Sequence, residues 1–227
     1  MTDISTDIIM EEKKRESTCS GKGVKIKICG LTAVREAEYL NEAQIDFAGF
    51  IQFVPKSRRN IPTELAREII RELDPSVRSV AVTISPDLET VRRLEAAGFD
   101  YLQIHGQVEP AVWEHVSMPV IRAYNYTDMG RFAQDQLDSR VRALLVDAAV
   151  PGSGKTFDWA VLDALPVRSK PLFLAGGLHA GNVREAILRV KPDVVDVSSG
   201  VENESGAGKN RQKILELARA VLGGESI

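Results

Sequence analysis

From Val24 onward, apolar and polar positions follow two alternating rhythms. Short β-branched and apolar runs begin at Val24 (V-K-I-K-I-C-G), Phe47 (F-A-G-F-I-Q), Ser79 (S-V-A-V-T-I), Tyr101 (Y-L-Q-I-H-G), Val120 (V-I-R-A-Y-N), Ala143 (A-L-L-V-D-A), Pro171 (P-L-F-L-A-G-G) and Asp193 (D-V-V-D-V-S-S). Such runs predict strands. Between them the spacing becomes helical and predicts helices over 34–43, 63–73, 88–97, 110–115, 129–137, 159–165, 181–190 and 211–222. Pro62-Thr63 and Ser85-Pro86-Asp87 supply starting signals, because a fixed proline φ or a side-chain oxygen suits a first helical turn. Strand then helix, eight times over, predicts an α/β fold closed as a single (β/α)8 TIM barrel.

An open doubly wound sheet shares the alternation but places its ligand at a switch in strand order. Closure is favoured by polar residues at period two: Lys25, Lys27 and Cys29 on the first run, Asp196 and Ser198 on the last. In a closed barrel those two strands are neighbours. Lys27 and Asp196 are then expected to pair inside it, each offsetting the cost of burying the other.

The 227 residues suit one domain with one core. Residues 1–23 are polar and lack periodicity, so they are expected to form a flexible tail ahead of a catalytic domain over 24–227. Apolar content of 44%, charged content of 27% and a net charge of −3 leave no footprint for nucleic acid or an anionic membrane. No apolar run is long enough to span a bilayer and the N-terminus lacks a signal-peptide core, so the expected location is cytoplasmic. Cys19 and Cys29 lack metal-site spacing, and neither a metal nor a disulfide is expected.

Barrel sites lie at the carboxyl ends of the strands. Gly176-Gly177 and Ser199-Gly200 follow the seventh and eighth runs, where exposed backbone N–H groups and a short helix start suit a phosphate. The stretch V-P-G-S-G-K-T-F-D-W from Val150 resembles a nucleotide phosphate loop, but Ala149 stands where that loop needs its first glycine, and the segment follows the sixth strand. ATP is therefore not expected. Gly152, Ser153, Gly154 and Lys155 are read instead as a loop that closes over a substrate. Cys29 and Asp147, on well-separated strands, suit one proton removal and one proton donation across the mouth. Arg58 and Arg59 offer planar forks for a carboxylate. On the residues alone, Cys29 as inert packing remains open.

Together these motifs resemble the phosphoribosylanthranilate isomerase family of tryptophan biosynthesis. The resemblance rests on K-I-K-I-C-G-L-T from Lys25, Gly49-Phe50, P-K-S-R-R-N-I from Pro55, L-Q-I-H-G from Leu102 and L-V-D from Leu145. It continues in G-S-G-K-T-F-D-W from Gly152, A-G-G-L from Ala175, Asn182-Val183 and D-V-S-S-G-V-E from Asp196, covering nearly everything after the tail. It implies a barrel of the ribulose-phosphate-binding type and an Amadori rearrangement of N-(5-phosphoribosyl)anthranilate without metal or organic cofactor. Asp147 is then the general acid, Cys29 the general base and Arg59 the partner of the anthranilate carboxylate, with Arg58 of lower weight. The implied partner is a small phosphosugar, and the implied state is monomer or homodimer.

These roles require a partly ionised Cys29, for which Lys27 supplies positive charge, and an Asp147 kept protonated by burial and by the arriving anions. Lys27, His105 and Asp196 are expected as support, with His105 positioning the fourth strand or lining the pocket. His115 and His179 are read as surface residues; Trp113 and Trp159 are read as packing. I-Q-F-V-P from Ile51 and V-T-I-S from Val82 depart from the family pattern and are expected to touch the pocket walls. Two alternatives are a sugar isomerase that also serves histidine biosynthesis and a silent phosphate-binding barrel. Cys29 stands where the histidine-pathway family has Asp, and the presence of both Cys29 and Asp147 opposes the silent barrel.

Overall fold

The computed structural model describes residues 23–148, 156–164 and 168–223. Eight parallel strands close into a barrel in sequence order: β1 (Lys25–Cys29), β2 (Phe47–Ile51), β3 (Arg78–Ile84), β4 (Tyr101–His105), β5 (Val120–Asn125), β6 (Val141–Asp147), β7 (Leu172–Leu174) and β8 (Val194–Val197). The ladder between β1 and β8 sets Lys27 directly opposite Asp196 and closes the sheet, which excludes the open doubly wound alternative.

Outside the strands lie α1 (Glu36–Glu42), α2 (Thr63–Glu72), α3 (Leu88–Ala97), α4 (Pro110–His115), α5 (Phe132–Asp135), α6 (Val183–Val190) and α7 (Arg211–Val221). Asp87 caps α3 by accepting the Thr90 N–H at 2.8 Å, and Asn210 caps α7 by accepting that of Lys213 at 3.0 Å. Four helices differ from the sequence expectation by two residues or more at one end, or in type; the one over 34–43 runs only from Glu36 to Glu42. The one over 129–137 shrinks to α5, whose buried Asp135 serves the Tyr124 hydroxyl and Arg122 rather than a longer helical face. The one over 159–165 is a 3-10 helix, Trp159–Ala164. The one over 181–190 starts at Val183, because the His179 N–H to Asn182 Oδ1 bond (2.9 Å) and the Gly181 N–H to His179 Nδ1 bond (3.1 Å) hold residues 179–182 in a turn.

The core has two shells. Between sheet and helices pack residues such as Ile28, Phe50, Leu94, Ile104 and Leu217. Inside the barrel lie Phe47, Val80, Val82, Ile121, Leu145, Phe173 and the Cys29 side chain. Phe47 meets Phe173 edge-on at 5.3 Å and Tyr101 at 6.0 Å, so an aromatic cluster fills one end of the interior beneath the site. No helix among the described residues is long and apolar enough to cross a membrane. The expected tail lies outside the described residues apart from Gly23.

Candidate active site

The carboxyl ends of the strands surround a cavity of about 200 Å3. Cys29, Arg59, His105, Asp147, Gly176, Gly177, Asp196 and Ser199, all singled out in the sequence, line it. Lys27 lies beneath it, fully buried. Gly152, Ser153, Gly154 and Lys155 fall outside the described residues.

Cys29 closes β1 and its side chain points inward by strand alternation with Lys27. Gly49 on the neighbouring strand leaves the space they need: a Cβ there would sit 3.0 Å from Cys29 Sγ and 3.1 Å from Lys27 Nζ. Lys27 Nζ donates to Asp196 Oδ2 at 2.8 Å, as the alternation of polar residues foretold. Burial, the largest influence, opposes the lysine charge, but Asp196 and Cys29 together outweigh it and raise Lys27 above its ordinary value. Asp196 Oδ1 is buried and has no hydrogen-bond partner among the described residues.

The expected help of Lys27 in ionising Cys29 is opposed by burial. Burial pushes the thiol above its ordinary value; Lys27 and Lys209 pull it back, and Asp196 pushes it further up. Burial outweighs the pull of Lys27, whose charge also faces Asp196.

Asp147 closes β6 and is 8% exposed. Burial is the main reason its carboxyl is pushed up to about 6, helped by Asp196 and opposed by the Ala148 N–H and by Lys27. The Ala148 N–H donates to Asp147 Oδ1 at 2.7 Å. Gly176, with φ of +97°, brings its chain close to this carboxyl: a Cβ would stand 2.8 Å from the Ala148 nitrogen and 3.2 Å from Asp147 Oδ1. His105, at the end of β4, is driven down to about 4 by burial first and by Lys27 and Arg122 next, so it is neutral. Its Nε2 lies 2.9 Å from Gln103 Nε2, which places the ring proton on Nδ1 if the amide donates. His115 and His179 are exposed, while Trp113 and Trp159 pack against the core.

The two glycine-bearing turns meet. Gly200 lies outside the cavity lining; a Cβ there would collide with the Leu178 carbonyl, so its lack of a side chain lets the turn after β8 press against the turn after β7. The N–H groups of Gly177, Ser199 and Gly200 have no acceptor among the described residues. That leaves donors for an anion.

Sequence reasoning missed Glu202 and Lys209. Glu202, 5% exposed, accepts from Arg59 Nε at 2.5 Å and from Arg58 Nη2 at 2.5 Å, and lies 3.3 Å from Lys209 Nζ. Lys209 also donates to the Ser198 carbonyl at 3.2 Å, and Ser198 Oγ donates to the Cys29 carbonyl at 2.8 Å. The signal for Glu202 was its place at the end of D-V-S-S-G-V-E; Lys209 follows an irregular loop and no periodicity marks it. Of the two unusual runs, Ile51, Val54, Val82 and Ile84 do line the cavity. Gln52 does not: it donates to the Ile61 carbonyl at 3.0 Å and accepts from Thr63 at 2.8 Å, tying β2 to α2.

A family model described as N-(5'phosphoribosyl)anthranilate (PRA) isomerase matches residues 26–220. The chain belongs to this family. A curated N-(5'-phosphoribosyl)anthranilate isomerase from Streptococcus gordonii is 39% identical over 201 residues, covering 88% of this chain and 98% of that protein. The phosphoribosyl anthranilate isomerase of Thermus thermophilus has a structure similar to this one, with a TM-score of 0.78 at 33% identity, over 88% of this chain and 99% of that one. A further family structure, in complex with reduced 1-(o-carboxyphenylamino)-1-deoxyribulose 5-phosphate, has a TM-score of 0.75 at 32% identity, over 88% of this chain and 99% of that one. The chain therefore resembles these isomerases in both sequence and fold.

Proposed function

We propose that the chain converts N-(5-phosphoribosyl)anthranilate to 1-(2-carboxyphenylamino)-1-deoxy-D-ribulose 5-phosphate, the third step of tryptophan synthesis from chorismate. The observation that carries this reading is one small cavity, in a member of this family, lined by a thiol on β1 and a carboxyl on β6.

Asp147, whose carboxyl burial pushes up to about 6, gives a proton to the ribose ring oxygen as the C1′–O bond breaks. The nitrogen lone pair forms the C1′=N bond of a protonated Schiff base. Cys29, as thiolate, takes the C2′ proton; the C–H electrons form the enolamine C1′=C2′ bond and neutralise the nitrogen. Tautomerisation of the C2′ enol to a ketone, with protonation at C1′, gives the aminoketose. General acid and base terms of this kind contribute about 10²–10⁴-fold each.

With Asp147 at about 6 and Cys29 above its ordinary 9.0, the resting site at neutral pH is thiol plus carboxylate. The reactive form is thiolate plus carboxylic acid. Both carry one proton, so an internal shift interconverts them. The substrate's phosphate and carboxylate raise Asp147 further, which moves the pair towards the reactive form. Lys27 then faces a real thiolate and stabilises it.

Arg59 receives the anthranilate carboxylate, and the N–H groups of Gly177, Ser199 and Gly200 receive the phosphate. Asp196, Lys27 and His105 support the acid and base. The partner is a small phosphosugar, and the protein works in the cytoplasm as a monomer or homodimer. A tryptophan auxotroph lacking this isomerase tests the reading: growth without tryptophan is expected with the wild-type gene and is lost with Cys29→Ala or Asp147→Asn. Growth with neither gene, although wild-type protein accumulates folded, contradicts it.

A further inference from the structure

Arg59 is gripped along one side only. A guanidinium has two edges that can each hold a carboxylate in bidentate fashion. Glu202 occupies the first, accepting from Nε at 2.5 Å and from Nη2 at 3.2 Å. Nη1 has no hydrogen-bond partner among the described residues, and Arg59 lines the cavity with its side chain 13% exposed. The stem is fixed as well: Gly30 has no side chain where a Cβ would lie 2.6 Å from Arg59 Cδ.

Glu202 is itself held. Lys209, with a fully buried side chain, lies 3.3 Å from Glu202 Oε1 and donates to the Ser198 carbonyl and hydroxyl at 3.2 and 3.3 Å. Lys213 donates to the Glu202 carbonyl at 3.0 Å. Burial works against the Glu202 charge, but the Arg59 hydrogen bond and the charges of Lys209, Arg59 and Arg58 outweigh it and keep the carboxyl below its ordinary range. One carboxylate thus faces three cations. The surplus of positive charge in this cluster suits an anionic substrate, and the Glu202 carboxylate is turned onto the far edge of Arg59.

We infer that Glu202, braced by Lys209, is a positioning residue that sets specificity: it fixes the guanidinium so that the free Nη1 edge meets the carboxylate of an N-aryl substrate. This rests on Arg59 receiving that carboxylate. Without Glu202 the guanidinium swings among rotamers, and the loss falls on substrates that carry the carboxylate. The same clamp joins Arg59 to the turn after β8, so carboxylate recognition and the phosphate donors sit on one rigid unit.

The test uses two substrates, phosphoribosylanthranilate and its carboxylate-free analogue phosphoribosylaniline, with conversion followed by proton NMR. Wild type, Arg59→Ala, Glu202→Gln and the double variant are compared by the ratio of kcat/KM for the two compounds. Glu202→Gln is expected to lower that ratio about tenfold through KM, the scale of a lost charge-assisted contact. In the Arg59→Ala background the same change is expected to alter it less than about twofold, because its target is gone. An equal loss on both substrates, or the same loss in the Arg59→Ala background, overturns the inference. A ratio unchanged by Arg59→Ala alone overturns instead the assignment of Arg59 and, with it, the basis of the clamp. If Glu202→Gln does not fold, Glu202→Asp takes its place, since it keeps the charge and shortens the reach across both nitrogens.

Discussion

Replacing Asp147 by Asn should stabilise the protein while abolishing its activity. Asp147 is pushed up to about 6 in the folded chain, against an ordinary 3.8. A folded value above the unfolded one means that folding favours the protonated form. Its contribution is therefore fully present below about 3.8 and is lost as pH rises through about 6, so at neutral pH and above the ionised carboxylate costs stability. The difference, 6 less 3.8, is about two units, or about 3 kcal/mol at 1.36 kcal/mol per unit. An Asn has the same shape and its amide oxygen can still accept the Ala148 N–H, so it removes the charge and keeps the 2.7 Å bond. For a chain of 227 residues, about 3 kcal/mol corresponds to roughly 6–12 °C in Tm. Equilibrium urea unfolding of wild type and Asp147→Asn at pH about 8 and about 4 measures it. The variant is expected to gain stability at the higher pH and almost none at the lower. Equal gains at both, or destabilisation at pH about 8, would refute the attribution of the raised carboxyl to burial of its charge.

The pH profile of kcat/KM should be bell-shaped, with its acid limb near 6 from Asp147 and its alkaline limb above the ordinary 9.0 of Cys29; an acid limb near 4 contradicts the buried acid. Asp196→Asn leaves the fully buried Lys27 without its partner and should cost about 3–5 kcal/mol in urea unfolding. The same change removes a negative charge that raises both catalytic groups, so both limbs of the profile should move to lower pH; unmoved limbs would show that Asp196 does not act on them. Gly200→Ala should force the turn after β8 away from the Leu178 carbonyl and raise KM for the phosphorylated substrate at least about tenfold, read against thermal unfolding as the folding control.

The strands were legible because their residues carry a strict local pattern: alternation of Lys27 and Cys29 with Ile26 and Ile28 fixes which face is inside, and the same alternation around Asp196 fixes its partner. Helices 88–97 and 110–115 were legible to the residue, since Asp87 caps the first and Pro110 opens the second. Helix 129–137 was not, because its periodic residues include Leu137, which is 86% exposed, and its real anchor is a buried Asp135 serving the Tyr124 hydroxyl and Arg122. Cys29, Asp147 and Arg59 were readable as strand-end or loop chemistry. Their ionisation was not: the thiol is raised because burial outweighs a lysine already paired with Asp196, a balance that depends on depth. Glu202 and Lys209 act on Arg59 from well over a hundred residues away along the chain, and only closure of the barrel brings them together.

The most direct test of the acid and base pair is an anthranilate-fluorescence assay on purified protein, with phosphoribosylanthranilate generated in place. Wild type is expected to consume it, and Cys29→Ala and Asp147→Asn, both folded, to lose about 10²-fold or more in kcat. Undiminished turnover by either folded variant would contradict the assignment of a thiol base on β1 and a carboxyl acid on β6.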